Sequence, residues 1–169
     1  MEPEQQAVQN ITAFFDHFQI PYKIEELPDD TFLPGVTISG GAVVYDPTKL
    51  KYPGDLLHEA GHLAVTLPEE RDQIFGDIAV EFPHKKDDEM AVMCWSFLAS
   101  QVCKIPVQML FHDGGYKGES QYLQQMYSSG QLMGLPLLEW MGIARREQDG
   151  RISVLSWMRP AVSEESANN

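Results

Sequence analysis

Apolar residues recur at helical spacing from the start of the chain. Val8, Ile11, Phe14, Phe15 and Phe18 make one stripe, which predicts a helix over residues 4–19 that Pro21 ends. His17 reads as a surface or capping residue of that helix. Residues 22–24 suit a short strand, and Pro28-Asp29-Asp30 suits a turn. Two β-rich runs, Val36-Thr37-Ile38-Ser39 and Ala42-Val43-Val44-Tyr45-Asp46, flank Gly40-Gly41 and predict a hairpin. Such a hairpin either covers the core or offers an edge to an extended peptide. A helix from about Pro53 to Leu67 follows. Its residues Leu56, Leu57, Ala60, Leu63, Ala64, Val65 and Leu67 leave almost no polar face.

Residues 68–86 read as a polar connector, with Ile74-Phe75 and Ile78-Ala79-Val80 turned inward. Asp87-Asp88 supplies an N-cap for a helix that runs from Met90 to about Lys104. That helix is apolar nearly all round, which predicts burial. Phe111 to Gly118 is a glycine-rich loop without the spacing of a phosphate loop. A helix over residues 120–129 should carry Tyr122, Leu123, Met126 and Tyr127 on one side. Residues 135–141 form a short apolar segment, Asp149-Gly150 turns the chain, and residues 152–155 read as a last strand. There is no internal repeat. The expected organisation is one domain over residues 1–162 with a disordered tail over 163–169.

The apolar helix beginning near Pro53 carries the HExxH box His58-Glu59-Ala60-Gly61-His62. Residues four apart share a helical face, so His58 and His62 can aim at one metal ion. Glu59 lies beside that face and can take a proton from a water the ion activates. The competing reading is two surface histidines and a solvated glutamate. An oily helix argues against it, because desolvated ionisable groups need partners. A zinc hydrolase site uses three protein ligands. Glu89, 27 positions after His62 in the first turn of the next apolar helix, is the favoured third, since a helix N-terminus keeps a carboxylate ionised. The alternative for Glu89 is a surface charge beside Asp87 and Asp88. His84 and His112 are rival third ligands. Asp55, one turn before His58, could orient its imidazole or cap the helix.

Charge and composition narrow the classes further. With 12 Lys and Arg against 25 Asp and Glu, the net charge of −13 disfavours a phosphate-binding surface and hence direct nucleic-acid binding. Cys94 and Cys103 fall nine residues apart on one helix, on opposite faces, so no disulfide is expected. Two free thiols suit a reducing, cytoplasmic compartment. The opening Met1-Glu2-Pro3-Glu4 carries no secretion signal, and no membrane span is visible.

Three local features carry a resemblance: the hairpin over residues 38–46, Leu57-His58-Glu59-Ala60-Gly61-His62-Leu63, and Glu89 on a following buried helix with Trp95-Ser96. Together, over roughly residues 36–103, they resemble a zincin metallopeptidase of the glutamate-ligand branch, the IrrE/ImmA-like domain. The resemblance implies a small α+β zincin-like fold, with buried helices on a short antiparallel sheet. It implies His58, His62 and Glu89 as zinc ligands (another divalent ion being the alternative) and Glu59 as general base. It implies a cytoplasmic bacterial peptidase whose substrate is a protein or peptide, such as a separately encoded transcriptional repressor. The family often has Asn or Asp four residues after the third ligand, where this chain has Met93. No helix-turn-helix segment is evident, so a DNA-binding partner would be another chain. His112, Tyr116 and Tyr45 are candidates to stabilise an oxyanion. The alternative function is a catalytically silent zincin-fold module for binding or sensing.

Overall fold

The fold is described from a computed structural model for residues 1–162; the expected tail over 163–169 lies outside the described residues. It is a small α+β domain, with seven α-helices and two small sheets among the described residues. α1 spans Pro3–Phe18 and buries Ala7, Ile11, Phe14 and Phe15. Gln19 ends it in the left-handed region, with its N–H returned to the last turn, so the stop precedes Pro21. β1 (Tyr22–Ile24) runs parallel to β3 (Ala42–Tyr45), and β2 (Val36–Ser39) pairs with β3 antiparallel, giving the order β1-β3-β2. Gly40 and Gly41 both have positive φ, 59° and 74°, which the two-residue hairpin turn requires. β3 is central and buried at all four positions.

The outer edge of β2 is partly covered. Leu33 bridges to Val36, and the Gly76 N–H donates to the Ile38 carbonyl.

α2 (Gly54–Val65) and α4 (Glu89–Cys103) pack against each other at the centre of the molecule. Gly61 permits the approach. A Cβ there would lie 3.0 Å from Val92 Cγ1 and 3.3 Å from Ser96 Oγ. Ala60 beside it is wholly buried. The two variable residues of the HExxH box are thus the ones small enough to seat the second helix. The last turn of α2 leaves carbonyls that need donors. Arg71 Nε donates to the carbonyls of Leu63 and Thr66, and the Arg159 N–H and guanidinium donate to those of Ala64 and Val65. Trp95 of α4 donates its indole N–H to the Trp157 carbonyl, tying the same C-terminal segment to the core.

Several expectations are corrected. The 68–86 connector is not irregular: it holds 3-10 turns at Pro68–Gln73 and Pro83–Asp88 around a one-turn helix, α3 (Ile78–Glu81). Ile74 and Ile78 are buried, but Phe75, Ala79 and Val80 face outward. A single turn can present only one of its residues to the core. Asp88 does not cap α4 with its side chain. The 3-10 turn enters the helix with Asp88 already in helical conformation, so the extended geometry an N-cap needs is missing.

After α4, α5 (Val107–Leu110) crosses the start of α2, and a Cβ at Gly54 would meet the Met109 carbonyl at 2.5 Å. α6 (Ser120–Ser128) buries Leu123, Met126 and Tyr127, while Tyr122, one step round, is exposed. α7 spans Leu135–Trp140. β4 (Ala144–Arg146), whose polar sequence hid it, pairs antiparallel with β5 (Ile152–Val154). Cys94 and Cys103 are both buried and unpaired. No described helix is long and apolar enough to cross a membrane.

Candidate metal centre

One face of α2 carries His58 and His62. Their rings stand edge to face, with centroids 5.0 Å apart. α4 delivers Glu89 opposite them, because the close α2–α4 packing brings its first residue over the histidine face. Glu89 Oε1 lies 3.2 Å from His58 Nε2, and Oε2 lies 3.4 Å from His62 Nε2. The three donor atoms all lie within 4.8 Å of one another, so the group could hold a metal ion. A tetrahedral ion with bonds of about 2.1 Å keeps its ligand atoms about 3.4 Å apart. The two carboxylate–imidazole separations, each to a different oxygen of Glu89, are of that order, and two imidazoles with one carboxylate suit zinc among divalent ions.

The electrostatics of this group are compatible with a bound cation. Burial works to raise the Glu89 pKa, but the hydrogen bond from His58 and the charges of His58 and His62 outweigh it and hold it down to about 2. Burial pushes His62 down to about 3, and the neighbouring His58 charge adds to this, so its ring is neutral with a lone pair to offer. Burial also opposes charge on His58, yet the hydrogen bond and charge of Glu89, with Glu59 and Asp55, leave its pKa raised.

Glu59 is 4% exposed beside the cluster. Burial raises its pKa to about 8; the His58 charge works against this, and Asp55, Glu89 and Asp77 add to it. Without a cation, that burial keeps Glu59 protonated at neutral pH, and a positive charge bound beside it would favour the carboxylate that can accept a proton.

The other candidates lie elsewhere. His84 is exposed in the 3-10 turn before α4, and His17 is exposed on α1. His112 is buried but faces away from this group: its Nε2 lies 2.7 Å from Asp55 Oδ1. Neither His84 nor His112 joins the three converging donors. Asp55 makes no cap to α2. Tyr45 sits in the central strand as part of the hydrophobic core. Tyr116 stands edge-on to His58, with ring centroids 6.0 Å apart, and burial raises its pKa. Its hydroxyl donates to the Leu110 carbonyl at 3.3 Å. Tyr116 and Lys117 both have left-handed backbone, φ 61° and 53°, a costly conformation for side-chain-bearing residues.

The glycine-rich loop owes its glycines to close packing. A Cβ on Gly114 would strike the Tyr52 hydroxyl at 2.2 Å, and one on Gly115 would crowd the His112 ring at 3.3 Å. Tyr52 stacks flat on His112, with centroids 3.7 Å apart and planes 7° apart. No local spacing marks Tyr52 as a partner of His112, since 60 positions separate them. Comparison with protein families, curated proteins and solved structures finds no match.

Proposed function

We propose that this protein is a metal-dependent hydrolase, a zinc peptidase of the glutamate-ligand zincin kind resembling IrrE/ImmA-like domains. The observation that carries the reading is the meeting of His58, His62 and Glu89, with the buried Glu59 alongside. A zinc ion bound there would polarise a scissile carbonyl and acidify a water toward neutral pH. Glu59 would take the proton of the attacking water and pass it to the departing amine. His62 would offer its lone pair, and Glu89 would balance the positive charge. Tyr116, edge-on to His58, is the favoured donor to the developing oxyanion once its hydroxyl leaves the Leu110 carbonyl. Two buried free thiols support a reducing compartment, and the acidic surface supports a protein substrate, such as a separately encoded transcriptional regulator, over nucleic acid.

The test is zinc content and peptide hydrolysis for wild type and Glu59→Gln. The variant is expected to keep its zinc and lose hydrolysis by about a hundredfold to ten-thousandfold. Equal turnover in both proteins would remove Glu59 as the base. Zinc bound by a wild type that hydrolyses nothing would leave a binding or sensing module.

A further inference from the structure

A groove of about 900 Å³ lies between the C-terminal half of α4 and the β4–β5 hairpin, with Tyr127 of α6 and Trp157 completing its lining. None of His58, His62, Glu89 and Glu59 lines it. Much of the lining is apolar and within reach of solvent. Val102 is 53% exposed, and Ile152, Val154 and Trp157 are only partly buried. Strand register decides what else faces in. Arg146 pairs with Ile152 and Ala144 with Val154, so the four side chains share one face of the hairpin. That face is turned to the core: Ala144 is buried, and Ile152 and Val154 pack against the core cluster. Arg146 is thus the one charged residue of an apolar face, and it lines the groove. The arginines beside it are engaged within the hairpin. Arg145 Nε lies 2.8 Å from Glu147 Oε1, and Arg151 Nε lies 2.6 Å from Asp149 Oδ2. Among the described residues the Arg146 side chain has no such partner. No Asp or Glu lines the groove, in a chain with 25 acids against 12 bases.

We propose that this groove binds a small amphiphilic anion, an apolar chain ending in a carboxylate, with Arg146 taking the head and the walls of α4 and the hairpin taking the chain. Charge complementarity selects the head. A guanidinium presents a planar fork of N–H donors that fits a carboxylate, and the pairing gains where apolar walls thin out the competing water. The surrounding surface is acidic, so an anion is drawn to this groove and repelled elsewhere. The walls select the body. An anion without a chain would leave Val102, Ile152 and Val154 uncovered, and a neutral chain would leave Arg146 unmatched. The size and the two facing walls suit a small molecule, since such sites are concave, mostly apolar and fixed by a few polar groups. The inference is independent of the metal-site reading, because the two sites share no residue.

The experiment is calorimetric titration of the full chain, with and without added zinc, using dodecanoate below its micelle concentration. Dodecanol and acetate serve as the chain and the head alone. Dodecanoate is expected to saturate a single site, equally well with and without zinc, and to bind at least about tenfold tighter than dodecanol. Acetate should not saturate. Arg146→Gln, an exposed substitution, should remove most of the preference for dodecanoate over dodecanol. Val102→Glu puts a like charge at the exposed rim and should weaken dodecanoate about tenfold. Arg145→Gln, on the opposite face of the hairpin, should change nothing. Methyl NMR shifts on titration should centre on Ile152 and Val154. Dodecanoate that does not saturate, or that binds wild type and Arg146→Gln equally, overturns the proposal. So does binding that appears only with zinc, which would place the carboxylate on the metal. A chain ending at Val162 that binds dodecanoate more than about tenfold tighter than the full chain would make the segment with Glu164 and Glu165 the occupant, and would overturn the small-molecule assignment.

Discussion

Two histidine–carboxylate groupings are anchored side by side on α2, Asp55 with His112 and His58 and His62 with Glu89 of α4, and they are built for different ends. Around His112, one imidazole meets one oxygen of Asp55 at 2.7 Å, and a tyrosine ring covers it. Around Glu89, each carboxylate oxygen faces a different imidazole, at 3.2 and 3.4 Å. The first is a short hydrogen bond between two groups, whereas the Glu89 carboxylate is shared between two imidazoles, one of them within hydrogen-bond reach. The second is longer, and it involves three donors that approach one another from two helices. The same residue types therefore make a paired contact in one place and a group that could hold a cation in the other. What separates them is how many donors converge and how closely.

The strongest way to break this contrast is to remove the shared carboxylate. Glu89→Ala should reduce zinc affinity by more than about a hundredfold, beyond what loss of an outer partner does. Metal content after dialysis reads it, and full retention would mean that Glu89 is a surface charge after all. A second variant attacks the convergence while leaving every donor in place. Gly61→Leu would force α4 away from α2, because even a Cβ lies 3.0 Å from Val92. It should cost about 1–3 kcal/mol by denaturant titration and loosen zinc as well. Stability and metal affinity equal to wild type would show that the helix spacing does not set the site.

The pH dependence of the metal-free protein sharpens the electrostatic side. Glu59 has a pKa of about 8 against 4.5 for an unperturbed carboxyl. Between those values the folded chain holds a proton that the unfolded chain has released. The contribution of Glu59 is therefore fully present below about pH 4.5 and is lost as pH rises through 8. Glu59→Gln should remove that fall, so the variant gains on wild type as pH increases over this window. Parallel stability profiles from pH 5 to 9 would show that Glu59 is not desolvated. The smallest expected effect is that of Tyr116→Phe. It keeps the ring beside His58 and should lower kcat about tenfold with zinc affinity unchanged. An unaltered kcat would leave the oxyanion to another donor.

The residues differ in how far they could be understood from their neighbours alone. The histidine spacing, the hairpin glycines and the oily character of α2 and α4 are local, and helical or strand period is enough to see them. His112 was a rival ligand on paper because nothing near it in the chain signals Asp55, 57 positions away. Phe75 and Val80 were expected inside because they are apolar, yet a one-turn helix between 3-10 turns has no second buried face. The parallel pairing of β1 with β3 and the whole of β4 were likewise invisible. Strand pairing is a property of partners, and Ala144–Arg146 has a strand only because Ile152–Val154 lies against it.

The chain by itself determined that two imidazoles and a glutamate share one apolar helix, and that a second apolar helix begins with an acid. Backbone geometry repeats every few residues, so those facts are written in short stretches. Only the tertiary structure decided that Glu89 arrives over both histidines, that His112 turns to Asp55, and that Glu59 is buried deeply enough to hold its proton near pH 8. These depend on how closely two helices pack across Gly61 and on how much water that packing excludes, and both are set by the whole core at once.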